Sequence, residues 1–259
     1  MASFIEAVIF GVIQGLTEWL PVSSSGHLAI AKEFFGWRPP VIFFVLLHVG
    51  TLVVIVAFFR RDIVEVLKAL VRRNLRSEEG KLGVCVIVGS VPTAVIGYIF
   101  QDLFESFFDN LLVVGAALLA TGFLLFVSEQ REGDKALGFL DSLLVGIAQG
   151  TAIIPGISRS GATISIGLLR RVGKETAFRF SFLLSIPAVL GAAIAKSGDL
   201  NLLIGHGDVI AVVVGVVTSM VVGYLSLKVL RKAVMKKRFH WFALYCWAAG
   251  ALVIISQML

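Results

Sequence analysis

A carboxylate, four hydroxyls and an imidazole crowd into the stretch Gln14-Gly15-Leu16-Thr17-Glu18-Trp19-Leu20-Pro21-Val22-Ser23-Ser24-Ser25-Gly26-His27, with apolar sequence on both sides. Such groups are costly in hydrocarbon and are retained where they do chemistry or hold polar ligands. Gln14 and Glu18 are four apart, so they share a helix face one turn before Pro21. Glu18 and His27 read as site residues, either one a base for a nucleophile among Ser23, Ser24 and Ser25. The hydroxyls of Ser23, Ser24 and Ser25 also suit the N-cap of a following helix.

A second stretch, Gln149-Gly150-Thr151-Ala152-Ile153-Ile154-Pro155-Gly156-Ile157-Ser158-Arg159-Ser160-Gly161, repeats the first without a gap. Gln149, Ser158, Ser160 and Gly161 each stand 135 positions after Gln14, Ser23, Ser25 and Gly26. Arg159 is its sharp residue, because a guanidinium cannot shed its proton and must meet an anion or water. Glu18 is one partner for it; a phosphate group gripped by the planar fork is the favoured one. Glu18, His27 and Arg159 are therefore expected to be catalytic, together with a serine of the first turn. Around the anion stand Gln14, Ser23, Ser25 and Gly26 from the first stretch and Ser158, Ser160, Gly161 and Thr163 from the second, with two helix N-termini adding partial positive charge. Glu18 is also the expected ligand of a sparsely held divalent cation.

His48 has no motif around it and reads as a packing or interfacial residue, while His206 and His240 fall in loops. Cys85 and Cys246 lie in apolar runs without ligand-like neighbours and read as buried free thiols. No His/Cys metal cluster, P-loop or dinucleotide fingerprint is found.

The elements that must position these residues follow from composition. With 58% hydrophobic and 15% charged residues over 259 positions, the chain lies outside the range of soluble domains. It reads as an all-α integral membrane protein. The net charge of +6 sits in short basic loops between apolar runs, which is a topological signal and argues against nucleic-acid binding. The first apolar run lacks a basic n-region and a small-residue cleavage site, so no removable signal peptide is expected.

Six full spans are predicted at about 41–59, 82–100, 111–128, 178–195, 209–229 and 241–258, with basic loops at 60–81, 170–174 and 228–238 on the cytoplasmic side. Two shorter broken pairs, at about 4–20 with 26–36 and 138–154 with 160–170, read as re-entrant. Counting crossings, the first pair enters from outside and the second from inside. The halves are then an inverted-topology repeat whose polar turns meet near the midplane. A single membrane domain is expected, with repeat one about 1–128, a linker about 129–135 and repeat two about 136–259.

At these residues the sequence closely resembles the undecaprenyl-diphosphate phosphatase family, also called the bacitracin-resistance family. The likeness covers nearly the whole chain and rests on Gln14-x-x-x-Glu18, Pro21-Val22-Ser23-Ser24-Ser25-Gly26-His27 and Pro155-Gly156-x-Ser158-Arg159-Ser160-Gly161-x-Thr163. It implies hydrolysis of a polyprenyl diphosphate lipid to the monophosphate and inorganic phosphate, supported by Mg²⁺ or Ca²⁺, for recycling of the lipid carrier. The family's acidic pair carries over onto Gln14 and Glu18, its essential Ser and His onto Ser24 and His27, and its phosphate-binding residues onto Ser158, Arg159 and Thr163. Many members have Glu where Gln14 stands, which shifts the burden onto Glu18. A multi-pass protein of the cell membrane is implied, with the site open to the outer side and a homodimer as the assembly to test. The rival from another class is a secondary transporter or lipid-phosphate flippase, since inverted repeats with broken helices are the general plan of such proteins.

Overall fold

A computed structural model describes residues 4–37, 39–131, 133–200 and 209–258; Arg38, Glu132 in the linker, and residues 201–208 with His206 lie outside the described residues. Twelve α-helices run in order among the described residues: α1 (Phe4–Trp19), α2 (Ser24–Phe35), α3 (Val41–Phe58), α4 (Arg60–Val71), α5 (Glu78–Ile99), α6 (Gln101–Ser106), α7 (Leu111–Glu129), α8 (Phe139–Thr151), α9 (Arg159–Leu169), α10 (Lys174–Ala195), α11 (Val209–Met235) and α12 (Phe239–Ser256). Of these α3, α5, α7, α10, α11 and α12 are long and apolar enough to cross a membrane. Large apolar side chains such as Val53, Phe123, Leu225 and Leu252 are exposed on them, as a hydrocarbon solvent requires.

Four of the shorter helices, α1, α2, α8 and α9, pack among these spans. α1 packs against α11, α8 against α5, and α7 against α12. Small residues make these approaches close, since only a missing side chain lets a carbonyl of the neighbour come so near. At Gly11 a Cβ would lie 2.5 Å from the Gly215 carbonyl oxygen, and at Gly146, 135 positions on, 2.1 Å from that of Gly89. Gly115 and Gly250, also 135 apart, face each other: a Cβ on either would lie 3.0 Å or 2.7 Å from the other's carbonyl oxygen. Beneath the turns, Trp19, Phe59, Phe178 and Phe182 form the aromatic centre of the largest buried cluster.

Three expectations about elements are corrected. The basic segment after α3 is not all loop, because its first twelve residues form the amphipathic helix α4. Val66 and Leu70 close on Gly83 of α5 while Arg60, Arg61, Glu65 and Lys68 stay exposed. The Lys228–Arg238 segment is helical as far as Met235, since α11 continues beyond its apolar part. His240 lies in the first turn of α12, where the Glu129 carboxylate accepts the backbone N–H groups of Phe239 and His240 at 3.1 and 2.7 Å and so caps that helix from the end of α7. Cys85 and Cys246 are free and buried.

Candidate active site

The first turn forms because Pro21 cannot continue α1. The chain reverses through Ser23, whose φ of 70° is unusual for a residue with a side chain. Its hydroxyl accepts the Gly26 N–H at 3.2 Å, capping α2, and also the Gly156 N–H of the second turn at 3.1 Å. In the second turn the positive φ, 100°, falls on Gly156, and Ser158 caps α9 by accepting the Gly161 N–H at 3.1 Å. Thr121 of α7 fastens this turn: its hydroxyl donates to the Gly156 carbonyl at 2.9 Å and accepts the Ser158 N–H at 3.1 Å. Ser160 donates to the Trp19 carbonyl at 3.0 Å. The two turns are thus bonded to each other, and α2 and α9 begin side by side.

Glu18 occupies the junction, with 6% of its surface exposed. Arg159 binds its Oε1. Its Oε2 accepts the Ser24 hydroxyl at 2.5 Å and the Gln14 amide at 3.0 Å. His48 of α3 brings Nε2 to 3.4 Å from the same oxygen. Arg159 also lies over the Trp19 ring, 5.6 Å from its centroid, which fixes the guanidinium by stacking as well as by charge. Ser24 and Arg159 are the first residues of α2 and α9, so both helix N-termini, with N–H groups outside the helical ladder, point at the same small volume. One buried carboxylate thereby holds a hydroxyl and a guanidinium at an anion-attracting junction.

A model of the family described as "Bacitracin resistance protein BacA" matches residues 7–252. The chain belongs to the BacA family. Proteins named "Undecaprenyl-diphosphatase" are similar to it end to end. That of Carboxydothermus hydrogenoformans is 41% identical over 99% of this chain and 98% of its own length. That of Desulfosudis oleivorans is 44% identical over 96% and 97%, and that of Methanosphaera stadtmanae 38% identical over 100% and 99%.

In this BacA-family chain the expected site residues fall into two groups. Glu18, Ser24, Arg159 and Gln14 are brought into direct contact. The others serve the scaffold around them: Ser23 and Ser158 cap helices, Ser25 meets the Ser23 hydroxyl at 3.2 Å, and Gly26 and Gly161 lie where a Cβ would crowd Gly156 or Pro21. Thr163 donates to its own helix at the Arg159 carbonyl, 2.7 Å, and lies 2.5 Å from the Ser181 hydroxyl. His27 is placed apart from Ser24. Its Nδ1 meets the Ser23 carbonyl at 2.8 Å and its Nε2 the Tyr245 hydroxyl at 2.6 Å, with the two rings stacked. A carbonyl only accepts, so Nδ1 carries the proton and a neutral ring accepts from Tyr245.

Two residues escape the sequence reading. His48 is the packing residue expected from its surroundings only in part, since one ring nitrogen faces Glu18. Its legible signal was a titratable side chain inside a full span. Tyr245 has no sequence signal, because it reaches His27 from α12.

The donor set does not make a protein-held cation site. Among the described residues no group of three His, Cys, Asp or Glu side chains converges. The one carboxylate at the junction already binds Arg159 through one oxygen and Ser24 and Gln14 through the other, whereas Mg²⁺ and Ca²⁺ ask for oxygens free to coordinate.

Proposed function

We propose that the chain is a membrane phosphatase that hydrolyses undecaprenyl diphosphate to the monophosphate and inorganic phosphate, returning the lipid carrier to use. The observation that carries the mechanism is the Ser24 hydroxyl 2.5 Å from a carboxylate that also holds Arg159. The terminal phosphoryl group enters between the N-termini of α2 and α9, and Arg159 turns its fork from Glu18 to the phosphate oxygens. Ser24 Oγ attacks the terminal phosphorus while Glu18 takes its proton. An O–P bond forms, the anhydride bond breaks, and the lipid monophosphate leaves with the bridging oxygen. Water then attacks the phosphoserine, inorganic phosphate departs, and Glu18 returns the proton to the Ser24 oxygen. Charge spread over the phosphoryl oxygens is met by Arg159 and the helix N-termini, so positioning and electrostatics supply most of the rate.

His27 is not the base for Ser24 in this scheme; once Tyr245 releases it, its Nε2 first takes a proton from water and then gives it to a departing or bound oxygen. A Mg²⁺ or Ca²⁺ ion, in this reading, arrives balanced by the diphosphate, and no step is routed through it. The two helix pairs α1–α2 and α8–α9 are re-entrant from opposite sides, the halves form an inverted repeat within one membrane domain, and the junction opens outward. The partner exchange of α1 with α11 and α8 with α5 supports that arrangement. The enzyme sits in the cell membrane as a multi-pass protein, with a homodimer as the assembly.

The test is phosphate release from a polyprenyl diphosphate by purified protein in detergent, with a search for phosphoserine at Ser24 after rapid acid quench. Release without any gradient and a labelled Ser24 are expected. Full activity in Ser24→Ala would leave water as the attacking group.

A further inference from the structure

Between α7, α8 and α9 runs a groove of about 410 Å³ that the phosphatase chemistry leaves unused; Glu18, Ser24 and Arg159 take no part in its lining. Its walls are Leu124 of α7, Leu144 and Ala148 of α8, and Ala162 and Ile166 of α9. Ala148 and Ala162 keep it open, where the first copy carries the larger Ile13 and His27 135 positions earlier. Ala120 and Ile147 at the rim are exposed, so the groove opens to the side, where the helices face hydrocarbon.

Along its length the groove offers almost nothing polar. Thr121 and Thr151 reach it, but the Thr121 hydroxyl is committed to the Gly156 carbonyl and the Ser158 N–H, and Thr151 donates to the Ala148 carbonyl at 2.9 Å. An apolar chain suits such a lining, since it brings no hydrogen-bonding group to be left unpaired. One end is different, because the lining finishes there with Leu169 and Arg170. Arg170 gives Nε to Asp141 at 2.8 Å, and Lys135 gives Nζ to the same carboxylate at 2.7 Å. Two cations on one carboxylate leave net positive charge, and the Arg170 side chain is 38% exposed. The terminal N–H edge of its fork is left for a second anion. The first copy has Phe35 at this position, so the cation belongs to the second copy alone. The length agrees as well. α9 has 11 residues and so rises about 16 Å, close to the ~15 Å of hydrocarbon in one leaflet. We infer that the groove holds one acyl chain of an anionic phospholipid, with its phosphate on Arg170 and its chain running toward Ile157. Ile157 directly precedes Ser158, the cap of α9, so the bound chain braces the second turn from outside the catalytic junction.

In the experiment, delipidated protein in detergent is titrated with equal amounts of dioleoylphosphatidylglycerol and dioleoylphosphatidylcholine, and native mass spectrometry counts the lipids each protein molecule retains. Phosphatidylglycerol should be retained about fivefold over phosphatidylcholine, the preference expected of one cation at a membrane surface. Ala148→Phe, which fills the groove, should lower retention at least about tenfold, the cost of leaving two methylenes unburied. Val221→Phe, on an exposed face of α11, should leave retention unchanged. Arg170→Gln, whose amide can still donate to Asp141, should bind the two lipids equally. Equal retention of both lipids by the parent chain, or retention unaltered in Ala148→Phe, overturns the inference. So does displacement of retained phosphatidylglycerol by an equimolar C15 polyprenyl diphosphate, which would make the groove the seat of that lipid's chain. If Arg170→Gln unfolds, the contrast between Ala148→Phe and Val221→Phe decides alone. Phosphate release is read in none of these arms, so the phosphatase reading stands or falls separately.

Discussion

The two polar turns share a frame and divide the chemistry. Ser23 caps α2 through Gly26 as Ser158 caps α9 through Gly161, at 3.2 and 3.1 Å, and the Ser23–Ser25 and Ser158–Ser160 hydroxyl pairs lie at 3.2 and 3.3 Å. On that common frame the repeat places unlike residues at matching positions. Ser24 stands where the second copy has Arg159, and Glu18 where it has Ile153. His27 stands where it has Ala162. The chain reversal differs too. The first copy has Pro21 where the second has Gly156, and the positive φ moves from Gly156 to Ser23. Matching capping residues keep the helix starts in register, while the residues that follow the caps are free to specialise. A hydroxyl and a guanidinium that meet on Glu18 are thus contributed by equivalent positions of the two copies.

The largest expected effects break the division of labour. Arg159→Ala and Ser24→Ala should each lower phosphate release by about 1,000-fold or more while the protein remains folded in detergent. Exchanging the two residues, Ser24→Arg with Arg159→Ser, should not restore activity, because Glu18 belongs to the first copy alone; recovery would show that the two positions are interchangeable. Glu18→Gln should cost about 100-fold to 10,000-fold through loss of the base, whereas Ile153→Ala at its counterpart should leave kcat within about twofold. A large effect at Ile153 would mean that the second copy does more than bind.

The next effects concern how each turn reverses. Gly156→Ala should lose about 3 kcal/mol or more of stability, since a Cβ there would lie 2.4 Å from the Val114 carbonyl oxygen at a φ of 100°. Pro21→Ala should cost less than about 1 kcal/mol. Thermal unfolding in detergent reads both, and similar losses would show that the turns reverse by the same device.

At the mouth of the second pair, Asp141 is buried among Lys135, Arg170 and the Gly138 N–H, at 2.7, 2.8 and 3.1 Å. Burial alone would push its carboxyl up, but the bonds from Lys135, Arg170 and Gly138 outweigh it and hold the carboxyl below its ordinary value. Asp141→Asn should cost about 1–3 kcal/mol at neutral pH, less than a fully enclosed pair because both cations are part exposed. A depressed folded pKa contributes stability that is complete above the unfolded value, near about 3.9, and is lost as pH falls through the folded one. The gap between parent and variant should therefore hold from neutral pH to about pH 5 and close below about pH 4; a gap that widens in acid would reverse the assignment. The smallest contrast is between the caps. Ser158→Ala should cost about 1 kcal/mol and Ser23→Ala about 2 kcal/mol, because Ser23 also accepts the Gly156 N–H.

The helical fold, its six spans and the junction at Glu18 were legible because polar motifs inside apolar runs are improbable without a purpose. What was not legible depends on neighbours distant in sequence. His48 lies in a span that is apolar on every side, so no periodicity marks the direction it faces. The partner of His27 is 218 positions away. Thr163 matched an anion-binding pattern, yet a threonine in a helix has its own carbonyls within reach, and here it bonds back to Arg159. α4 was hidden by charge density, which reads as loop until the alternation of Val66 and Leu70 with arginines and lysines is put on a helical wheel.

The partner exchange between halves also sets an order in time. α8 emerges from the ribosome after its partner α5 has been made. α1, carrying Gln14 and Glu18, must wait for α11, and Trp19 and Val209 are 190 positions apart. At ordinary synthesis rates that is roughly 10–40 s, during which the helix that carries Gln14 and Glu18 has α2 and α3 beside it but not α11. Nascent chains arrested before residue 209 should keep α1 accessible to a water-soluble thiol reagent at a cysteine placed in its α11-facing surface, and chains arrested after residue 259 should protect it. Biosynthesis, more than the finished fold, is where this architecture is exposed to interception by a chaperone or a protease.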